Sequence, residues 1–119
     1  MPNTFRMTNE TNVSTTIETL YTVPSSTTSV ILGIMMSNTS SSTIKGSVQL
    51  VSTTATSVNT GASNANETTY LIKDAPISSA SSLEIMAGNK VVLQTGDVLK
   101  SQSDTASALD IVITYMEIT

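Results

Sequence analysis

The side chains of this sequence with the most potential for chemistry are its nine acidic residues, and Asp97 is the most suggestive of them. It follows Gly96 between two short apolar runs, where it could be a general base, a metal ligand or a hairpin corner. A metal would need further oxygen ligands nearby, and the spacing to Asp104 and Asp110 matches no known metal-binding loop. Gly-Asp pairs form turns. We predict a structural corner with Gly96 at positive φ, no metal at Asp97, a costly Gly96→Ala change and a mild Asp97→Asn change.

The composition excludes several other kinds of site. With no histidine and no cysteine, the chain can form no Ser-His-Asp or Cys-His nucleophile system, no disulfide and no thiolate metal site. A glycosidase needs two carboxylates that face each other, but the acids are spread singly and there is no tryptophan to stack on a sugar. We therefore predict no catalytic residue, no metal and no cofactor, and an enzyme such as a glycan hydrolase is the least favoured function.

Charge and hydropathy argue against nucleic acid and membrane as partners. Only 12% of the residues are charged and the net charge is −4, against a typical charged fraction of about 25%. Five scattered basic residues make no counterion-releasing patch, and few aromatic side chains are present for base stacking. No run approaches 18 apolar residues, and the N-terminus does not resemble a signal peptide. We expect a protein that is made and used without crossing a membrane by the general secretory route.

Short apolar runs between polar turns indicate an all-β fold. Alternation of period two is clear at the C-terminus, where Leu109, Ile111 and Ile113 alternate with Asp110, Val112 and Thr114. Serine and threonine, about a third of the residues, suit the solvent faces of strands. We predict an antiparallel β-sandwich of about seven or eight strands, jelly-roll or immunoglobulin-like. The predicted strands are 17–23, 30–36, 44–51, 69–73, 82–86, 90–94, 97–100 and 109–118.

The chain divides into an N-terminal arm, residues 1–12, and a single sandwich domain, residues 13–119. The segment from Ser52 to Glu67 is predicted to be a long loop. The arm lacks strand periodicity but carries Phe5, Arg6 and Met7, residue types that are enriched in interface cores. It is therefore a docking element or, equally, a frayed terminus.

Two strands are apolar on both faces, which indicates a partner or a fully wrapped strand. Met35 and Met36 are adjacent, so they point to opposite sides of one strand. Val112 and Met116 lie opposite the core-facing residues of the last strand. Burial within the sandwich and burial against another subunit both explain this pattern.

Three stretches together resemble a family. They are TLYTVPSSTTSVILGIMMSNTSSSTIKGSVQLV, TTYLIKDAPISSASSLEI and KVVLQTGDVLKSQSDTASALDIVITYMEI, which span residues 19–118. The order of elements is similar to that of small β-sandwich structural proteins of tailed-phage virions. In the first part an apolar entry is followed by a proline, a strand and an Asn-Thr turn, and in the later part a strand is followed by Gly-Asp, a strand and a final strand.

The resemblance implies a non-enzymatic virion protein that is made in the cytoplasm of the host. The first expectation is a capsid decoration (cement) protein on the outer face of the head shell, bound to the major capsid protein or other virion subunits and present as a homo-oligomer. The alternatives are a neck- or tail-associated protein and a receptor- or glycan-binding module of a tail fibre. The family defines no catalytic residues, so the resemblance implies none here.

Overall fold

The computed structural model describes residues 2–53, 67–86 and 88–119. Within these ranges every regular element is a β-strand. None of the described residues forms a helix that could cross a membrane. The strands are β1 (Asn3–Glu10), β2 (Glu18–Thr22), β3 (Thr28–Asn38), β4 (Ile44–Ser52), β5 (Glu67–Ile77), β6 (Ser82–Glu84), β7 (Val91–Leu93), β8 (Val98–Ser103) and β9 (Leu109–Ile118).

The strands form two antiparallel sheets that pack face to face. Sheet A has the order β1-β9-β3-β6, with β7 also paired to β3, and sheet B has the order β2-β8-β4-β5. The chain changes sheet at nearly every connection, and β4–β5 is the one pair of consecutive strands that are neighbours among those described. With β6 and β7 taken as one interrupted strand, this is the jelly-roll order rather than the immunoglobulin order. The predicted β-sandwich is confirmed.

The core lies between the sheets and is built by alternate residues of each strand. On β9, Leu109, Ile111 and Ile113 point inward, as their period-two spacing predicts. From β3, Ile31 and Ile34 meet them, each fully buried. Sheet B contributes the opposite wall of the core, which includes Leu20, Ile44, Val48, Ile77 and Leu99.

The N-terminal segment differs from the sequence-based expectation, because residues 3–10 form an edge strand. β1 pairs with β9 along its whole length, from Asn3 opposite Ile118 to Glu10 opposite Ile111. The sequence hides this strand because its large apolar side chains, Phe5 and Met7, face solvent rather than the core. The predicted lack of strand structure in the arm was therefore wrong.

The predicted long loop falls mostly outside the described part of the chain. β4 ends at Ser52 and β5 begins at Glu67, so the prediction for residues 54–66 concerns residues that the structure does not describe. β5 is longer than the sequence indicates, since it runs to Ile77 and passes through Asp74 at φ 52.

The Gly96-Asp97 corner is where the structure confirms a local prediction. Gly96 has φ 89, and Asp97 sits beside it at the start of β8, buried to 5% exposure. The backbone N–H of Asp97 donates to the carbonyl of Gln94 within the β7–β8 turn. The carbonyl of Asp97 accepts from the N–H of Val23, so the turn is also bonded to the connection between β2 and β3. The positive φ explains why position 96 is a glycine, since glycine adopts this conformation without steric strain.

We expect Gly96→Ala to destabilise the fold by about 2 kcal/mol, because a β-carbon opposes the positive φ and would lie 2.9 Å from Oγ1 of Thr53. Gly88→Ala is the matched control, since Gly88 has φ 87 but nothing within 4 Å of the added carbon. It should lose about 1 kcal/mol from the backbone alone. Urea unfolding of both variants measures the difference, and equal losses would show that the Thr53 contact does not matter.

Candidate interaction surface

The solvent side of sheet A, which we call the outer face, carries a continuous apolar row. The strand register places Phe5 of β1 opposite Met116 of β9, Met116 opposite Val30 of β3, and Val30 opposite Val92 of β7. Directly opposed residues share a face and have neighbouring side chains. Phe5 is 71% exposed and Val92 57% exposed, at the two ends of the row. Four strands thus present one apolar band to solvent.

A second row crosses the same face toward its other end. Here Val112 of β9 is opposite Met35 of β3 and Asn9 of β1. Met7 lies between the two rows and is 60% exposed. Met7, Met35 and Val112 help line a shallow depression of about 220 Å³. The outer face therefore has both a band and a recess into which a partner's side chain would fit.

Charge is nearly absent from this face. The band itself contains no ionisable group, and Thr114 separates Met116 from Val112 along β9. Three acids lie near the second row: Glu10 and Asp110 line the recess, and Glu84 accepts hydrogen bonds from the N–H groups of Ile34 and Met86. Asp110 accepts one from Asn12. A partner that docks on the band would meet apolar side chains and would desolvate no charge of the band itself.

The outer face brings together most of the interface candidates predicted from the sequence. Five of them lie on it, drawn from three strands: Phe5, Met7, Met35, Val112 and Met116. Their role in binding a partner stays a prediction. Sequence reasoning missed Val30 and Val92, whose membership depends on the pairing of β3 with β7 and β9. The one available signal was the uninterrupted run VVL at residues 91–93, which indicates a strand apolar on both sides.

The other two candidates do not reach the outer face. Met36 is fully buried in the core, so its proposal as an interface residue is corrected: of the adjacent methionines, Met35 alone is outside. Arg6 points to the side of β1 opposite Phe5, where its Nε donates to Oε1 of Glu117 at 2.6 Å. Its role in this fold is to hold β1 against β9.

Glu117 is the centre of a buried polar network that the sequence did not reveal. Its side chain is 9% exposed, and while one oxygen accepts from Arg6, the other accepts from the Tyr21 hydroxyl at 2.7 Å. The Ser29 hydroxyl bonds the same Tyr21 oxygen, and the rings of Tyr21 and Tyr115 are 4.3 Å apart. These contacts form one buried network that joins β1, β2, β3 and β9.

Burial raises the pKa of Tyr21 far above its ordinary value, and the neighbouring Glu117 carboxylate raises it further, although the Ser29 hydrogen bond opposes the shift. The folded state then keeps a proton that the unfolded state releases near pH 10. The stability from this difference is complete below pH 10 and is lost as the pH rises above it.

We therefore expect the free energy of unfolding to fall between pH 9.5 and pH 11 by about 1 kcal/mol more in the natural chain than in Tyr21→Phe. Denaturant titrations at several pH values measure the two slopes. Tyr70→Phe is the control, because Tyr70 is 40% exposed, and it should keep the natural slope. Parallel slopes for the natural chain and Tyr21→Phe would contradict the assignment.

Asp97, the most suggestive acid of the sequence, serves the backbone. Its Oδ1 accepts from the N–H and hydroxyl of Thr53, and its Oδ2 accepts from the N–H of Gln94. These bonds join the end of β4 to the β7–β8 corner. Within residues 2–53, 67–86 and 88–119 no three acidic side chains come together in a group that could hold a metal ion. A polar hollow of about 160 Å³ is lined by Lys45, Asp74 and Asp104 among others.

Comparison with known proteins assigns no family. No protein-family model matches the chain, and no curated protein is similar to it. A solved structure of Bacillus endospore appendages, described as a novel family of disulfide-linked pili, is similar with a TM-score of 0.49 and 16% identity. The similarity covers 99% of this chain and 87% of that one. Values this low transfer neither a family nor a function.

Proposed function

We propose that this protein is a non-enzymatic structural subunit of a tailed-phage particle, a decoration protein that binds the outer surface of the head shell. The observation that carries the proposal is the apolar band Phe5–Met116–Val30–Val92 on the outer face. Single exposed apolar residues are ordinary on protein surfaces, but a contiguous apolar patch marks a site of interaction.

The size of the outer face suits a stable contact. Three strands of eight to eleven residues, β1, β9 and β3, lie side by side, and the short strands β6 and β7 flank β3. Together they cover roughly 20 Å by 30 Å, which approaches the area of about 800 Å² that each partner contributes to a standard interface. The aromatic and methionine side chains Phe5, Met7, Met35 and Met116 are of the types enriched in interface cores. Such a contact needs no catalytic group, in keeping with a chain that lacks histidine and cysteine.

The head shell is proposed as the binding surface on the resemblance of residues 19–118 to virion structural proteins. A protein that binds only the assembled shell stabilises it by mass action, by roughly 3 kcal/mol per site when the free protein exceeds its dissociation constant a hundredfold. Over many sites this contribution would oppose genome pressure. The surface is rich in uncharged hydroxyl groups and the net charge is only −4, so repulsion between neighbouring copies is weak.

The test is to purify the phage particles that contain the protein, count its copies by quantitative mass spectrometry, and compare heat-induced genome release with and without it. We expect a copy number close to that of the main shell protein and earlier genome release after its removal.

A few dozen copies, with unchanged heat resistance, would place the protein at the neck, tail or fibre instead. Filaments formed by this chain alone, with none of it on particles, would overturn the virion assignment. Binding of a glycan would support the fibre alternative.

A further inference from the structure

β1 is attached to the sandwich by one neighbour and contributes nothing to its core. It pairs with β9 and with no other strand among those described. All eight of its residues are exposed or half-buried, and none belongs to the core cluster. Departure of β1 would leave the core covered but would expose the edge of β9.

The edge of β9 carries side chains that select what can pair with it. Glu117 is buried with one oxygen directed at Arg6, and without that cation a buried carboxylate would be left uncompensated, which is strongly unfavourable. Two residues along, the Tyr115 hydroxyl bonds Oγ1 of Thr8 at 2.8 Å. The edge therefore fits an extended segment with an arginine followed, two positions later, by a hydroxyl residue. Every copy of this chain carries such a segment.

The connection from β1 to the sandwich is a short hinge. Val13 is 1% exposed and its N–H donates to the Leu109 carbonyl, so it is a fixed point of the domain. Only Thr11 and Asn12 separate it from β1, and Asn12 is held at φ 54 with its N–H bonded to Asp110. A short hinge in a sparsely populated conformation favours strand exchange, because extension of the hinge releases that conformation.

We propose that the edge of β9 is a strand-acceptor site that takes residues 3–10 of a second copy of this chain, so that neighbouring copies exchange β1. The contacts Arg6–Glu117 and Thr8–Tyr115 are the same in the closed and the exchanged forms, so the balance is set by the hinge and by the local concentration of copies. The inference is independent of the proposed function, although each exchanged copy would complete its neighbour's apolar band with Phe5.

Cysteine pairs test the exchange in the full-length chain, which has no cysteine of its own. Met7 and Thr114 are directly opposed on β1 and β9, within the range of separations that a disulfide spans. A Met7→Cys chain and a Thr114→Cys chain are mixed in denaturant, refolded together at high concentration and mildly oxidised. We expect a disulfide-linked dimer that joins residue 7 of one chain to residue 114 of the other, identified by peptide mass.

Three controls make the result decisive. Both cysteines in one chain should close a disulfide within the monomer, and if they do not, Phe5→Cys with Met116→Cys replaces the pair. Val92→Cys mixed with Thr114→Cys measures random collision on the same face. Adding Arg6→Glu to the Met7→Cys chain should lower the dimer yield at least tenfold.

A 7–114 dimer yield no higher than the collision control, or unaffected by Arg6→Glu, overturns the proposal. Binding to particles is measured separately, so either proposal can fail alone.

Discussion

Replacing Phe5 and Val92 together by aspartate should lower the affinity of the protein for its particle at least a hundredfold while the sandwich stays folded. Both residues lie at the ends of the apolar band and are more than half exposed, so the folded chain tolerates the charges. In the bound state each carboxylate would be buried without a partner, which is unfavourable by several kcal/mol per charge.

The measurement is rebinding to particles from which the protein has been removed, at a fixed salt concentration. The matched control is Tyr70→Asp, which adds a carboxylate at an exposed aromatic position on β5 of sheet B. It should bind like the natural chain. Circular dichroism confirms that each variant is folded. If the double variant binds normally, or if Tyr70→Asp binds as weakly, the outer face of sheet A is not the docking surface.

The second large effect is expected at Asp97, where Asp97→Ala should destabilise the fold by about 3 kcal/mol. The substitution leaves the partly buried N–H groups of Thr53 and Gln94 without their acceptor, the buried Asp97 side chain. Each unsatisfied buried donor is unfavourable by about 1–3 kcal/mol. Asp97→Asn should lose about 1–2 kcal/mol, because its amide replaces one of two accepting oxygens with a donor. The mild effect that the sequence suggests is therefore revised upward.

Urea unfolding at neutral pH measures both losses. Asp104→Asn is the control, because Asp104 is exposed and accepts from a single main-chain group, the N–H of Lys45. It should change stability by less than about 1 kcal/mol. Equal effects of the Asp97→Asn and Asp104→Asn substitutions would show that burial at the corner does not strengthen these bonds.

Local chemistry explains which features could be predicted from the sequence. The alternation of Leu109, Ile111 and Ile113 identifies a half-buried strand with its inward face, and the positive φ of Gly96 follows from turn chemistry. Both depend on neighbours within a few residues. The all-β class and its turn spacing follow from many such signals along the chain.

Features that depend on pairing between distant strands could not be predicted. β1 has no apolar inward face, so its existence as a strand depends on β9, more than 100 residues away in the sequence. The apolar band likewise joins residues from four strands, and its members are too far apart in the sequence for a local pattern to connect them. The charge of Glu117 is typical of a surface residue, but Glu117 lies on the inward side of β9. There Arg6 and Tyr21 compensate its charge.

Methionine oxidation on intact particles tests the docking surface most directly, because the chain carries its own controls. Met7, Met35 and Met116 lie on the outer face, whereas Met36 and Met86 are buried in the core. Dilute peroxide converts accessible methionines to sulfoxides that mass spectrometry locates. In the free protein, Met7 and Met35 should oxidise readily and Met36 and Met86 slowly. On the particle, the account predicts that the outer-face methionines become as slow as the core pair. Oxidation of Met7 and Met35 at the same rate on particles as in the free protein would contradict it.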